Sequence, residues 1–282
     1  MLLSGKQVAE EIFAKTKDII TTHELTPGLG VILVGDDAPS HLYVGIKERK
    51  SKELGILFEK KVFASDVTED EIISAIEKLN QREDINGIIV QLPLPQGLDT
   101  DKIIASIEPK KDTDGFHPET VKKFLEGDSE RLPVFPRAML ELVRSVRQST
   151  QTAGVAIVNS ALMGEVLEKA LKDEGLTTEC IIREQQDAKQ EVVRDADVIL
   201  SATGEAESFS VLDCKAGVIV VDGGISYDTK GRVIGDVARD DGVYREDIWV
   251  TPVPGGVGPV TVAVLLARVT EAALRTRDFV NK

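Results

Sequence analysis

LGVILVGDDAPSHLYVGIKERKSKELG, residues Leu29–Gly55, runs from an apolar segment through a turn into a charged helix. Val31–Val34 is aliphatic and lies between Gly30 and Gly35, the composition of a buried strand. Asp36–Pro39 supplies turn residues, and Ser40–Gly55 reads as one helix with Ser40 as N-cap and Gly55 as stop. On that helix Tyr43 and Lys47 are four apart, so they share a face. Arg49, Lys50 and Lys52 crowd the same segment, and a charge run of this kind is ordinarily a solvated surface. Whether Lys47 is reactive depends on what the rest of the chain brings to it.

The strand-turn-helix pattern repeats outward from this unit. Val8, Ile12, Ile19 and Ile20 give residues 5–22 a helical apolar face. Leu57–Phe63 reads as a second strand and Gly87–Gln91 as a third, and between them Thr68–Asn80 forms a helix opened by a Thr68/Glu71 capping box. Such alternation predicts a parallel sheet covered by helices. The third strand ends in Gln91-Leu92-Pro93-Leu94-Pro95, where the prolines stop pairing and a polar amide sits at the carboxyl end, the edge where open parallel sheets bind ligands. Taken alone the prolines are equally a strand terminator. A helix at 100–107 follows, then the turn-rich loop Pro109–His117, whose Asp112-Thr113-Asp114-Gly115 core suits a tight turn that aims one carboxylate inward.

A second series begins with a helix over 136–147, opened by Pro136 at or near its first position. Strands are expected at Val155–Val158, Cys180–Ile182, Val198–Ala202 and Val218–Asp222. Helices are expected at Glu165–Glu174 and near Ala188–Arg194, and a loop at Asn159–Gly164. This βαβ order commonly holds a dinucleotide, although no G-x-G-x-x-G is present and Glu165 opposes an anion at the helix start. Residues 251–261 form a Pro/Gly loop of fixed shape and close backbone access, suited to a flat ligand ring, before an apolar helix through Leu274.

Composition bounds the function. The 282 residues carry a net charge of -14, which disfavours nucleic-acid or anionic-membrane surfaces and leaves a small-molecule protein. No secretory h-region follows Met1, and no run is expected to reach the roughly 18–20 apolar residues of a membrane span, so a cytoplasmic location is the default. Cys180 and Cys214 do not make a disulfide framework, and His23, His41 and His117 do not stand at metal-ligand spacing.

Tyr43-x-x-x-Lys47, GIIVQLPLPQGLD (87–99), PKKDTDGFHP (109–118) and TPVPGGVGPVT (251–261), in that order over nearly the full length, resemble the bifunctional methylenetetrahydrofolate dehydrogenase/methenyltetrahydrofolate cyclohydrolase family. The resemblance implies two α/β domains around a cleft. Residues 1–135 would form a folate-binding catalytic domain completed by 255–282, and 136–254 a Rossmann-like, doubly wound nucleotide domain through which a homodimer forms. It implies oxidation of 5,10-methylenetetrahydrofolate to the 5,10-methenyl form with NADP, then hydrolysis to 10-formyltetrahydrofolate. Lys47 matches the catalytic lysine, Tyr43 its partner that packs on folate, and Gln91 the amide that contacts and tunes the lysine. Asp114 matches the carboxylate that holds the pterin amino group and ring nitrogen, and Pro254, Gly255 and Gly256 the loop against the folate. Hydride transfer asks mainly for ring orientation. Cyclohydrolysis needs water delivered to a cationic carbon, which a lysine can aid as a neutral amine or by orienting the water, with Lys50 as a neighbouring cation to depress its pKa.

The nucleotide side departs from the family pattern. Val158-Asn159-Ser160 and Met163-Gly164-Glu165-Val166 stand where the family has Gly-Arg-Ser and Val-Gly-Lys-Pro, so the arginine facing the NADP 2'-phosphate is missing. Ile182–Gln186 and Pro133–Pro136 replace two further family segments, and Arg183 is the candidate to restore the charge. Cofactor contacts are expected at Asn159, Ser160, Gly164, Arg183 and Ile225. The alternatives are an NAD-preferring enzyme, a cyclohydrolase without the redox step, and a non-catalytic folate-binding protein.

Overall fold

The computed structural model describes residues 1–238 and 245–280. Residues 239–244 and 281–282, expected within the nucleotide domain and the C-terminal segment, lie outside the described residues. The chain forms two compact units: a first of Glu10–Glu126 with Val262–Lys282, and a second of Met1–Ala9 with Gly127–Thr261. This partition differs from the expected one at residues 1–9, 127–135 and 255–261, all of which fall in the second unit. Leu3 N donates to Val250 O at 2.8 Å and Gly5 N to Gly255 O at 3.0 Å, so backbone pairing places Met1–Ala9 in the second unit.

The first unit's elements are α1 (Gly5–Thr22), β1 (Gly28–Val34), α2 (Ala38–Leu54), β2 (Leu57–Phe63), α3 (Glu69–Asn80), β3 (Gly87–Val90), α4 (Thr100–Ala105) and α5 (Pro118–Leu125). The strands form a parallel sheet in the order β2-β1-β3, with Leu29 facing both Phe58 and Gly87. β1 and β3 are buried throughout, which explains their unbroken aliphatic sequence. Thr68 and Glu71 close the expected capping box, and α3 turns Ile72, Ile76 and Leu79 onto Ile32, Ile88 and Ile103. Fully burying each such side chain contributes about 1.5–3 kcal/mol. α2 starts earlier than expected. Its cap is Asp37, whose Oδ2 accepts from Ser40 N at 2.9 Å, while Pro39 in the first turn needs no donor. Gly55, at φ 84°, ends it as expected.

The second unit contains α6 (Val134–Val146), β4 (Ala153–Val158), α7 (Ala161–Asp173), β5 (Thr177–Ile182), a 3-10 segment (Arg183–Lys189), α8 (Gln190–Asp195), β6 (Val198–Ala202), β7 (Ile219–Asp222), a small hairpin of β8 (Ser226–Tyr227) and β9 (Val233–Ile234), and β10 (Trp249–Val250). Five strands pair in parallel in the order β10-β7-β6-β4-β5. The chain starts centrally at β4, moves out to β5 and returns across β4 to β6, the doubly wound pattern whose ligand crevice lies at the carboxyl ends where the order reverses, here between β4 and β6. The fold class is the expected one.

Two loops are shorter than expected. Ser160 caps α7 by accepting from Met163 N, so Met163 and Gly164 are helical and only Asn159 and Ser160 remain between β4 and the helix. α9 (Val257–Val280) begins inside the Pro/Gly loop, with Gly258 and Pro259 in a first turn whose N–H groups have no intrahelical partner in any case. α9 also corrects the expectation about apolar runs. Val257–Arg277 is long and apolar enough to cross a membrane, with mean hydropathy 1.6, and 67% of that window is buried inside the protein, where Val260, Val262–Leu266 and Val269 pack.

Candidate active site

In the first unit α2 carries Lys47 to the carboxyl end of β3. Gln91 N continues the β3 ladder by donating to Ile32 O at 2.9 Å, and the Gln91 side chain then turns on itself. Its Nε2 donates to Leu92 O at 2.7 Å, which leaves Oε1 to accept from Lys47 Nζ at 2.8 Å. The amide orientation is therefore fixed by the chain, and Lys47 meets a neutral acceptor. Burial holds Lys47 below the ordinary lysine value of 10.5, with attraction to Asp114 opposing. Burial likewise raises Asp114 above 3.8, with Lys47 pulling it down, Asp112 pushing it up and Arg268 pulling it down. Each member is biased toward its neutral form, as desolvation requires.

The other cations of α2 behave differently. Lys50 reaches Glu53 at 2.6 Å and lies 5.1 Å from the centre of the Phe13 ring. Lys52 and Lys60 both bind Glu48 at 2.8 Å and draw its carboxyl down to about 2. This part of the basic run is the solvated face that charge patterning suggests. Of the two causes expected to depress Lys47, desolvation and neighbouring cations, burial is the one that acts, and Lys50 is not among the groups that shift it.

Asp114 is placed by the residues around it. Lys111 Nζ donates to Asn80 O at 2.7 Å, Arg82 O at 2.6 Å and Leu79 O at 3.2 Å, so a buried cation closes the carboxyl end of α3. Ile88 N donates to Lys111 O at 2.8 Å, which moors the loop against β3. Asp112 is the carboxylate consumed by the turn, accepting from Gly115 N at 2.9 Å and His117 N at 3.0 Å. Gly115, at φ 88°, reverses the chain. Asp114 is half-buried and electrostatically coupled to Lys47, and Tyr43, also half-buried, lies one turn before Lys47. The assembly can act as a base or water-orienting amine beside a carboxyl that pairs with an amino group and ring nitrogen. Arg268 was not legible in the sequence, because nothing marks one arginine within an apolar helix as facing a carboxylate.

Pro254, Gly255 and Gly256 belong to the second unit. Gly255 has φ 108°, and a side chain on Gly256 would meet Pro252 O and Thr251 Cβ at 2.7 Å, so both glycines are required by the loop itself. Asn159 and Ser160 stand exposed at the end of β4, and Asn159 Nδ2 donates to Thr203 O, joining the ends of β4 and β6 at the switch point. Gly164 is not at that edge of the loop. A Cβ there would lie 2.5 Å from Cys180 Sγ, so it lets α7 pack on the sheet. Arg183 follows β5 directly and pairs with Glu205 at 3.3 Å, while Ile225 is exposed after β7.

Of the residues expected to hold a nucleotide, Asn159, Ser160, Arg183 and Ile225 follow the carboxyl ends of strands in a doubly wound sheet, and Gly164 does not. Sequence reasoning missed Thr203, Glu205, Asp222 and Asp236. An acid ending the apolar strand Ile219–Asp222 was the available signal for Asp222.

A family model described as tetrahydrofolate dehydrogenase/cyclohydrolase, catalytic domain, matches residues 3–114, and the NAD(P)-binding domain model of the same family matches 133–277. A bifunctional protein FolD from Brevibacillus brevis is 37% identical over 279 residues, covering 96% of this chain and 96% of that protein. The bifunctional methylenetetrahydrofolate dehydrogenase/cyclohydrolase structure from Campylobacter jejuni is similar at TM-score 0.89 and 32% identity, over 98% of this chain and 99% of that one. A Trypanosoma brucei methylenetetrahydrofolate dehydrogenase-cyclohydrolase, complexed with NADP cofactor and inhibitor, is similar at TM-score 0.89 and 27% identity over 98% of both chains.

Proposed function

The chain belongs to the tetrahydrofolate dehydrogenase/cyclohydrolase family, and from that premise we propose how its own residues divide the work. It is a bifunctional enzyme that oxidises 5,10-methylenetetrahydrofolate with a nicotinamide cofactor and hydrolyses the 5,10-methenyl product to 10-formyltetrahydrofolate. Lys47 is the catalytic centre of the hydrolytic step. The observation that carries this role is its 2.8 Å bond to the neutral Gln91 Oε1 in a buried setting, which favours the uncharged amine. That amine takes a proton from the water that attacks the cationic methenyl carbon, and the ammonium, bonded to Gln91, returns it to N5 as the C–N5 bond breaks and the formyl group stays on N10. Asp114 holds the pterin amino group and ring nitrogen and Tyr43 packs on the folate ring; in the second unit, Pro254, Gly255 and Gly256 offer the open backbone that suits a flat ring.

NADP is the cofactor of this reading. Asn159 and Ser160 at the switch point, Ile225 beyond β7 and Arg183 after β5 fit a dinucleotide, Arg183 being where a cation meets a 2'-phosphate. Gly164 takes no part in that contact and instead lets α7 pack on the sheet. Bound NADP would supply the hydride acceptor, and these residues orient it. A second reading, preference for NAD, is favoured by Glu205 on Arg183 and by exposed Glu165, just past the first turn of α7. A cytoplasmic homodimer completes the proposal, and sedimentation of the purified protein tests the dimer.

Lys47→Met decides the central assignment. Hydrolysis of methenyltetrahydrofolate is expected to be lost while folate still binds, and unchanged turnover would overturn the role of Lys47. Titration of NADP and NAD against the wild type separates the two cofactor readings.

A further inference from the structure

Beneath the nucleotide edge of the second unit lie two buried carboxylates. Asp222 ends β7 at 1% exposure, and Asp236 follows β9 at 0%. Asp222 Oδ1 accepts from Gly224 N and Asp236 N, both at 3.0 Å, and its Oδ2 accepts from Val237 N at 3.0 Å. Asp236 Oδ2 accepts from Ser201 Oγ at 2.6 Å and Thr203 N at 2.8 Å, at the end of β6. Thr203 O in turn accepts from Asn159 Nδ2, at the end of β4. One continuous network therefore runs Asn159–Thr203–Asp236–Asp222–Gly224 and ties together the loops after β4, β6 and β7.

The pair also interlocks sterically. A Cβ on Gly224 would lie 1.8 Å from Asp236 Oδ1, and one on Gly235 would lie 2.1 Å from Asp222 Oδ2. Each aspartate fills the space left by a glycine beside the other, so neither loop can shift alone. At the opposite edge of the same sheet Asp197 does similar stitching to Thr152 N and Ala153 N, but with Lys215 at 2.6 Å to balance its charge. Asp222 and Asp236 are met instead by backbone N–H groups and the Ser201 hydroxyl, and Asp236 Oδ1 is buried with no hydrogen-bond partner. Burial, reinforced by the Asp236 charge, pushes Asp222 up to about 6. Two buried carboxylates stitched in this way are a costly means of closing a loop, and an unpaired buried acceptor calls for a reason beyond stability.

We propose that Asp222 and Asp236 are the positioning residues of the nucleotide site, holding the three loops in the arrangement that presents Asn159, Thr203 and Ile225 to the cofactor. The inference rests on the reading that the second unit binds a nicotinamide nucleotide. Both aspartates act through the loops and touch no substrate.

The test uses the purified full-length protein, Asp222→Asn and Ser201→Ala. The second variant removes only the hydroxyl donor to Asp236 and serves if the first does not fold. NADP and NAD dissociation constants and KM are measured alongside hydrolysis of methenyltetrahydrofolate without nucleotide. Removing a charged acceptor is expected to raise the nucleotide KM roughly tenfold or more in Asp222→Asn, and a few-fold in Ser201→Ala, with hydrolysis changed less than twofold. Folded variants that bind nucleotide as the wild type does would overturn the proposal, as would parallel loss of both activities, the signature of general damage. A wild type that binds neither nucleotide would instead overturn the cofactor reading, and this proposal with it.

Discussion

Lys47 in the first unit and Arg183 in the second are both cations beside the carboxyl end of a parallel strand, yet their partners differ. Lys47 is half-buried against the neutral amide of Gln91, and desolvation there favours the free amine. Arg183 is partly exposed and faces the carboxylate of Glu205 at 3.3 Å, and a guanidinium keeps its charge in any such setting. The contrast separates two uses of a cation: a proton that can be exchanged, and a fixed charge that can be aimed at an anion. Desolvation of an amine that can lose its proton, against a guanidinium that cannot, decides which use is available.

The largest expected effect breaks the first half of that contrast. Lys47→Arg makes the charge permanent, and hydrolytic turnover is expected to fall about 10²–10⁴-fold, the usual range for a lost acid-base group. Retention of activity by the arginine variant would mean that a fixed charge suffices at both places.

Next is Asp222→Asn, read as stability. The folded-state carboxyl is raised from 3.8 to about 6 by burial, so the folded protein binds the extra proton between those values. The wild type should therefore gain stability from this group as pH falls from about 6 to 4, and lose it as pH rises back through 6. The change is about 3 kcal/mol at roughly 1.4 kcal/mol per pH unit. Denaturant unfolding of wild type and variant at pH 4 and 7 should show their difference shifting by that order in favour of the wild type at pH 4.

Gly164→Ala sharpens the second half by removing a false member. A methyl 2.5 Å from Cys180 Sγ overpacks the α7 interface and is expected to cost about 1–3 kcal/mol of stability with nucleotide affinity retained. Adding Cys180→Ala should restore much of the loss, a non-additivity that thermal unfolding detects. The smallest effect is Glu205→Gln. The Arg183 and Glu205 side chains are 26% and 56% exposed, so the pair contributes about 0–1 kcal/mol. Releasing Arg183 should improve NADP over NAD by no more than about fivefold in a titration.

What could be read from the sequence followed the physics of each segment. Thr68-x-x-Glu71 marked the start of α3 because a capping box is local, and β1 and β3 were plain because both strands are buried on two sides. Gly164 was expected in a loop because glycine usually breaks a helix, whereas here the reason is a sulfur atom brought close by β5. Turn chemistry alone did not separate Asp112 from Asp114; the resemblance singled out Asp114, and the loop's backbone donors show Asp112 to be the one held by the turn. Asp236 could not be found, since its partners lie on β6 and in the loop after it, far away in sequence. Short elements such as α5 and the β8–β9 hairpin carry too few residues for a period to show.

The pH dependence of methenyltetrahydrofolate hydrolysis, compared between wild type and Gln91→Glu, tests the account most directly. The wild-type rate should rise with pH through a limb below the ordinary lysine value of 10.5, since burial on a neutral amide favours the free amine. A carboxylate in place of that amide should move the limb up by about 1–3 pH units, making Lys47 resemble Arg183. Coincident profiles, or a wild-type limb at 10.5, would contradict the role assigned to the Lys47–Gln91 pair.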